Sequence, residues 1–418
     1  MSAPADVVDD AVAFDLLDPD TFAHGHPHAA YDRLRAAAPV YRHPGSAAQP
    51  PFWVLTRHAD IQAVSLDSER FTSTRGFRVS TDRRAGMDPE IGRVLSRFML
   101  AMDRPEHDVY RNVVASRFAP AALKSLEPVI AANVAKLFDG LAGREEVEVV
   151  SEVAARVPIQ TVCAIFGLPP EHEASVFELT NSVFGTDDPD FAATPEAANR
   201  NYLAIFDYAM EMYAERRRCP RDDLLTHLVD ARIHGAPIGE TELKSYFSNM
   251  LAAGNETTRT TLAGAIWTLS QHQEARDWLA QDPARLGEAM NELLRFVSPV
   301  IQMARTATTQ VELGGQTIAP GEKVVLLYGA ANRDPAVFAD PHRLDLTRAN
   351  AGKHLTFGVG VHHCLGSRLA QLQLRLILGE FLRRFPRFAA TGAPIYLRSN
   401  FVGAMKALNV RLEPPSEK

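Results

Sequence analysis

A mainly helical fold with a small β region follows from three features of the sequence. Between Glu240 and about Gln271, Leu243, Phe247, Met250, Leu251, Gly254, Thr258, Leu262, Ile266 and Leu269 recur at three- and four-residue intervals, the signature of one long helix crossing a core. Residues 121–235 carry mostly helical patterning, broken near residues 140–143, 169–170, 187–189 and 220 by Gly, Pro and Asp. Strand-like runs are short and few: Val40–His43, residues 52–56, the alternation through Arg305 and residues 323–328.

The chain has 418 residues and a formal net charge of −7, an acidic balance that points away from nucleic acid. Three cysteines, Cys163, Cys219 and Cys364, do not make a disulfide framework in a chain this long and fit a reducing cytoplasm. The opening MSAPADVVDDAVAFDLLDPD lacks the basic and apolar regions of a signal peptide, and no run is read as long enough for a membrane anchor. Residues 1–13 read as a flexible tail. With no internal repeat or Gly/Ser linker, residues 14–418 read as a single domain, expected to be a cytoplasmic monomer.

From the N-terminus, His24, His26 and His28 alternate with Gly25 and Pro27, which reads as a surface turn rather than a metal site. A short helix over residues 31–38 stops at Pro39, and another helix begins near Ala59. Residues 72–102 read as a long irregular stretch, and loops of that length are usually functional. After the hairpin signal at Gly314 and Gly315 and the 323–328 strand, a Pro- and Asp-punctuated meander carries Arg343. Apolar residues on nearly every side then mark residues 365–385 as a core helix. The closing IYLRSNFVGAMKALNV reads as two short strands with Phe401 and Val402 at the tip.

Four local patterns carry chemistry, each with a structural and a functional reading. The decapeptide FGVGVHHCLG, residues 357–366, sets Cys364 among closely spaced glycines just before a helix. A thiolate there is a soft iron ligand stabilised by the helix N-terminus, while a lone buried structural thiol is the alternative. In AAGNETT, Gly254 weakens the long helix and Glu256 stands beside Thr257, which suggests a functional break; a simple pair with Arg259 is the other reading. Glu292 and Arg295 form an i, i+3 pair among apolar residues, which suggests burial. His107 and Arg111 share a helix face, either as donors to carboxylates or as solvated charges.

Taken together, these patterns resemble the bacterial cytochrome P-450 family of haem-thiolate monooxygenases over essentially the whole chain. Phe357, Gly358, Gly360, His362, Cys364 and Gly366 match the family's haem-loop pattern, and Ala253, Gly254, Glu256 and Thr257 match its oxygen-helix pattern. The resemblance implies haem b held between the long helix and the helix after the cysteine loop. Cys364 would be the iron ligand, with Phe357, Gly358 and Gly366 shaping the loop around the cofactor. His107, Arg111, Arg305 and His362 would meet the propionates, and Glu292, Arg295 and Arg343 would form a buried structural triad. Thr257 and Glu256 would be catalytic, ordering a water and passing protons to the oxygen being reduced.

The activity implied is insertion of one atom of O2 into an apolar small molecule, suspected to be a sterol, terpenoid or fatty-acid-like compound. By family position the pocket would draw on Phe77, Phe98, Met99, Met102, Leu251, Val300, Ile301, Met303, Phe401 and Val402. Electrons are expected from a separate ferredoxin and flavoprotein reductase; Lys353, Arg368 and Arg375 near the cysteine loop read either as a patch that steers such a partner or as scattered surface charge. A peroxide-driven peroxygenase and a non-catalytic haem sensor or carrier are the alternatives; the Glu256–Thr257 relay argues against both.

Overall fold

The computed structural model describes residues 15–79, 87–184, 188–191 and 194–413. The expected tail at residues 1–13 lies outside the described residues, as does Asp187.

The Glu240–Gln271 helix runs unbroken for 32 residues, about 48 Å at 1.5 Å per residue. It packs against the helices Arg156–Phe166, Glu173–Phe184, Pro195–Arg218, Leu286–Val297 and Ser367–Arg384, so most of its circumference is buried. Gly254 does not break it. A Cβ there would lie 3.0 Å from a Val162 methyl, so the glycine lets the Arg156–Phe166 helix approach closely. This is a packing requirement rather than a hinge.

Two apolar clusters flank the long helix. One joins its C-terminal half to the helices Pro120–Asp139, Leu286–Val297 and Ser367–Arg384. The other joins its N-terminal half to Pro89–Leu95, Arg156–Phe166 and Pro195–Arg218. The functional cavity opens between the long helix and the loop that precedes Ser367–Arg384.

The main sheet has five strands in the order Val40–His43, Phe52–Leu55, Lys323–Leu327, Gln302–Ala307 and Phe71–Thr72. Only the Phe52–Leu55 and Lys323–Leu327 pair is parallel. Lys323–Leu327 is central and buried at every position, as an apolar run without alternation requires. Near the end of the chain, Ile395–Tyr396 pairs with Met405–Ala407, leaving Phe401 and Val402 at the tip, and Asn409–Glu413 joins a separate three-stranded sheet.

Several expectations need correction. The stretch 72–102 is not wholly irregular, since it contains the helix Pro89–Leu95 and a 3-10 turn at Met99–Ala101. Asp88 caps that helix by accepting from the Glu90 N–H at 2.7 Å, a signal legible as Asp-Pro-Glu. Among the described residues one window, Val149–Phe166, is long and apolar enough to cross a membrane, although 67% of it is buried inside the fold. His26 and His28 are not on a surface turn either. His26 Nε2 donates to the Ser298 carbonyl at 2.7 Å, and its Nδ1 lies 3.2 Å from the Tyr31 hydroxyl.

Candidate active site

The cysteine loop is built by its own backbone. The Cys364 N–H donates to the Phe357 carbonyl at 2.8 Å, and the His363 N–H to Gly360 at 3.0 Å. Gly358 and Gly360 hold φ of +66° and +75°, the left-handed region that favours glycine. A Cβ on Gly360 would also come within 2.7 Å of the Ser65 carbonyl, so this glycine answers to a neighbouring helix and not to the cavity. Gly366 differs. It lines the cavity, and a Cβ there would meet no protein atom within 4 Å. No neighbouring protein atom demands a glycine at 366, whereas a flat group seated against it would.

Cys364 is deep in the molecule, yet its side chain is exposed: the surface it presents faces the cavity. Burial raises its thiol pKa, while a backbone hydrogen bond at Gly366 and the charge of Arg111 pull the other way. The other cysteines do not compete. Cys163 is packed in the core with its thiol pushed up to about 12 by burial and the charge of Glu173, and Cys219 lies on the surface.

A cavity of about 250 Å³ lies between this loop and the long helix. His107, Arg111, Arg305 and His362 all line it, and among the described residues no acidic side chain does. The His107 and His362 rings meet edge to face at 4.7 Å, and Ser73 Oγ stands 3.1 Å from His362 Nε2. Burial, then the charges of Arg305, His107 and Arg111, drive the His362 pKa down to about 2. His107 is lowered too, by burial against an opposing bond to Asp108 and with a contribution from Arg111. Arg305 gives one hydrogen to the Ala304 carbonyl at 2.8 Å, and burial lowers its pKa. Asp108 holds His107 at 3.1 Å and Asp103 acts on Arg305, both from outside the lining. Two guanidiniums and two imidazoles face an apolar-walled space that no acidic side chain among the described residues enters, an arrangement suited to two carboxylates. Tyr328, expected only as the end of a strand, joins the same lining and lies near enough to Arg305 for mutual electrostatics.

The bare sulfur, the basic side chains facing a space no acid lines, and the open space at Gly366 fit an iron porphyrin with two propionates. Phe357 and Gly358 line the same space, as expected.

Of the expected pocket residues, Phe77, Met99, Val300 and Met303 line the cavity. Phe98, Met102 and Leu251 do not; they are buried in the cluster on the far side of its wall. Ile301 lies just ahead of the Gln302–Ala307 strand, outside its alternation, and turns into a separate cluster with Ala304. Phe401 and Val402 form a second layer against which Phe77, Val300 and Met303 pack. The sequence reading missed Leu100, Asn249, Met250, Ala253 and Pro299 in the lining. Met250, Ala253 and Thr257 step at three and four along one helix face, which was a readable signal.

Glu256 and Thr257 separate. Thr257 lines the cavity and donates its hydroxyl to the Ala253 carbonyl at 2.8 Å. Glu256 is fully buried and lines a second cavity of about 190 Å³ with Arg259, Phe177 and Lys406. Its carboxylate is bound by Arg259, and the Thr260 hydroxyl lies 3.4 Å away. The pairing with Arg259 is present, but inside the protein.

The buried triad has a different third member. Arg295 grips Glu292 through Nε and Nη2, each at 2.7 Å, and both side chains are fully buried. Arg348, not Arg343, completes it, with Nε donating to Glu292 Oε1 at 3.1 Å. The Arg343 side chain is 68% exposed and pairs with Asp345; only its carbonyl reaches the knot, accepting from Arg348. Burial raises the Glu292 pKa, but the hydrogen bonds and charge of Arg295, with help from Arg348, outweigh that and lower it.

Comparison with known proteins meets the same geometry. The sequence profile of cytochrome P-450 matches residues 21–395. The chain belongs to the cytochrome P-450 family. It is 36% identical to a linalool 8-monooxygenase of Pseudomonas putida, covering 96% of this chain and 99% of that one. It is 32% identical to a steroid C26-monooxygenase of Rhodococcus jostii, covering 95% and 84%. Among solved structures, the Mycobacterium marinum cytochrome P-450 CYP268A2 in complex with pseudoionone superposes with a TM-score of 0.89 at 33% identity, covering 98% of this chain and all of that one. This cytochrome P-450 is a monooxygenase that binds haem b through a cysteine thiolate, with a mainly helical fold and small sheets.

Proposed function

We propose that the protein hydroxylates an apolar small molecule of terpenoid, sterol or fatty-acid type, with Cys364 as the iron ligand. The observation that carries this is one cavity whose floor is the bare Cys364 sulfur and whose wall is Phe77, Met99, Leu100, Met250, Val300 and Met303. Such a wall desolvates an apolar ligand and excludes water from it. The relatives named as acting on linalool and steroids support the same class.

The haem, when bound, supplies oxygen activation and attack on the substrate C–H bond. The chain's residues do the rest. Arg111, Arg305, His107 and His362 orient the group through its carboxylates, and Glu292, Arg295 and Arg348 brace the proximal side. The Thr257 hydroxyl holds a proton at the cavity face of the helix. Glu256 feeds protons toward it from the second cavity by exchanging its bond to Arg259 for water.

Electrons come from a separate ferredoxin with its flavoprotein reductase, and the protein works as a cytoplasmic monomer. Exposed Lys353 and Arg368, which carry no ion pair among the described residues, favour an acidic donor at the cysteine-loop face.

The test is reconstitution of the purified holoprotein with a ferredoxin, its reductase, NAD(P)H and a panel of terpenes, steroids and fatty acids. Hydroxylated product is expected, with the red-shifted Soret band of the reduced carbon monoxide complex lost in Cys364→Ala. Persistence of that band in the variant overturns the ligand assignment. Product from peroxide alone, and none from the electron chain, overturns the monooxygenase cycle in favour of a peroxygenase.

A further inference from the structure

We infer that Asn249 is a specificity-determining residue, and that the substrate is an uncharged isoprenoid carrying a hydroxyl or carbonyl oxygen remote from the carbon that is oxidised. The inference rests on the substrate class proposed above and narrows it.

Asn249 is 8% exposed on the long helix, and the surface it keeps lines the cavity. Its amide makes no hydrogen bond to protein among the described residues. Two of the three threonines that this helix gives to the lining are committed to its own backbone: Thr257 donates to Ala253, and Thr261 to Thr257 at 2.7 Å. An amide that presents its surface to the cavity and makes no hydrogen bond to protein is available to donate to and accept from a polar group of a ligand there. Met250 beside it and Phe77 and Met303 across the cavity offer no polar alternative.

The ligand chemistry follows. An amide both donates and accepts, so it serves an alcohol or a ketone equally. Arg111 and Arg305 are the cations of the lining, and the two haem carboxylates would claim them. No charge is left for a substrate carboxylate, which disfavours a free fatty acid. Asn249 precedes Thr257 by eight residues, on the order of 12 Å along the helix axis, so the oxygen and the reacting carbon belong to different ends of the ligand.

The experiment is a Soret-shift titration of the holoprotein with two ligands of one carbon skeleton, geraniol and the diene hydrocarbon that lacks its hydroxyl. Wild type is expected to bind geraniol about tenfold more tightly than the hydrocarbon. Asn249→Leu is expected to erase that preference while binding the hydrocarbon at least as well. The reduced carbon monoxide spectrum verifies an intact site in each protein. A preference that survives in Asn249→Leu, or equal affinities in wild type, overturns the role of Asn249. Absence of any response to either ligand, with a palmitate-induced shift instead, overturns the substrate class from which the inference starts.

Discussion

Glu256 and Thr257 are consecutive residues whose side chains enter different cavities: the threonine hydroxyl stands at the haem-facing space, and the carboxylate stands behind the helix on Arg259. A 100° step along a helix is enough to divide them. The acid therefore has no direct contact with substrate, and its part in catalysis is separable from binding. Glu256→Gln is expected to leave substrate-induced Soret shifts unchanged while lowering product formation roughly a hundredfold. Spectral titration and steady-state turnover on the same preparation check both halves. A weakened Soret titration would place Glu256 in the binding wall instead.

Thr257→Ala removes the hydroxyl at the cavity face and leaves the Ala253 carbonyl without its extra donor. Haem content and substrate binding are expected to persist, since that carbonyl keeps its backbone partner in the helix. NAD(P)H consumption is expected to shift from product to peroxide. The measurement is the ratio of product to NAD(P)H consumed; an unchanged ratio removes Thr257 from the proton path.

The two meander arginines give opposite expectations. Arg348→Ala deletes a charge-assisted bond to fully buried Glu292 together with a bond to the Ala339 carbonyl at 2.6 Å, and is expected to destabilise the fold by about 2–3 kcal/mol. Arg343→Ala removes an exposed pair and is expected to change stability by less than ~0.5 kcal/mol. Denaturant midpoints of the two variants decide it. Similar losses in both would return Arg343 to the triad.

That contrast shows what the sequence made legible. The haem loop, Glu292–Arg295 and the long helix are local patterns, and local spacing fixes which faces they share. Arg343 and Arg348 sit in an irregular meander, where no period tells which side chain turns inward; the choice is made by carbonyls of Ala339, Asp340 and Arg343 that only the folded loop assembles around Arg348. The pocket wall divided in the same way. Leu251 and Met250 are neighbours of equal apolarity, yet only the second reaches the cavity, and Asn249 reads as an ordinary polar residue until its surroundings are known.

Acid is expected to loosen the N-terminal segment through His26. Its Nε2 must carry the proton, because the Ser298 carbonyl can only accept, which leaves Nδ1 to accept from Tyr31. Burial, against that backbone bond and with the charge of Arg333, lowers its pKa from 6.5 to about 4. The unfolded chain therefore binds a proton that the folded one refuses, so stability is full above pH 6.5 and is lost as pH falls toward 4. The loss amounts to about 3 kcal/mol over that window. His28 and the Arg333, His342 and Arg35 charges around it act in the same region, so the informative quantity is the difference between wild type and His26→Gln. A stability–pH slope as steep in the variant as in wild type would show that His26 is not the group responsible.

Electron delivery should be the salt-sensitive step. Lys353 and Arg368 are exposed near the cysteine loop, whereas Arg375 lies 3.5 Å from Glu127 and is partly neutralised. Steering by such charges decays with screening, from a Debye length of ~10 Å at 0.1 M salt to ~3 Å at 1 M. Ferredoxin-driven turnover is expected to fall steeply across that range, while substrate affinity, set by an apolar wall, does not weaken. Arg368→Glu is expected to lower the rate of first-electron transfer at low salt more than Arg375→Glu, because Glu127 already offsets the latter. Stopped-flow reduction under carbon monoxide measures it directly. Equal rates at both salt concentrations would mean that the donor docks through apolar contacts or on another face.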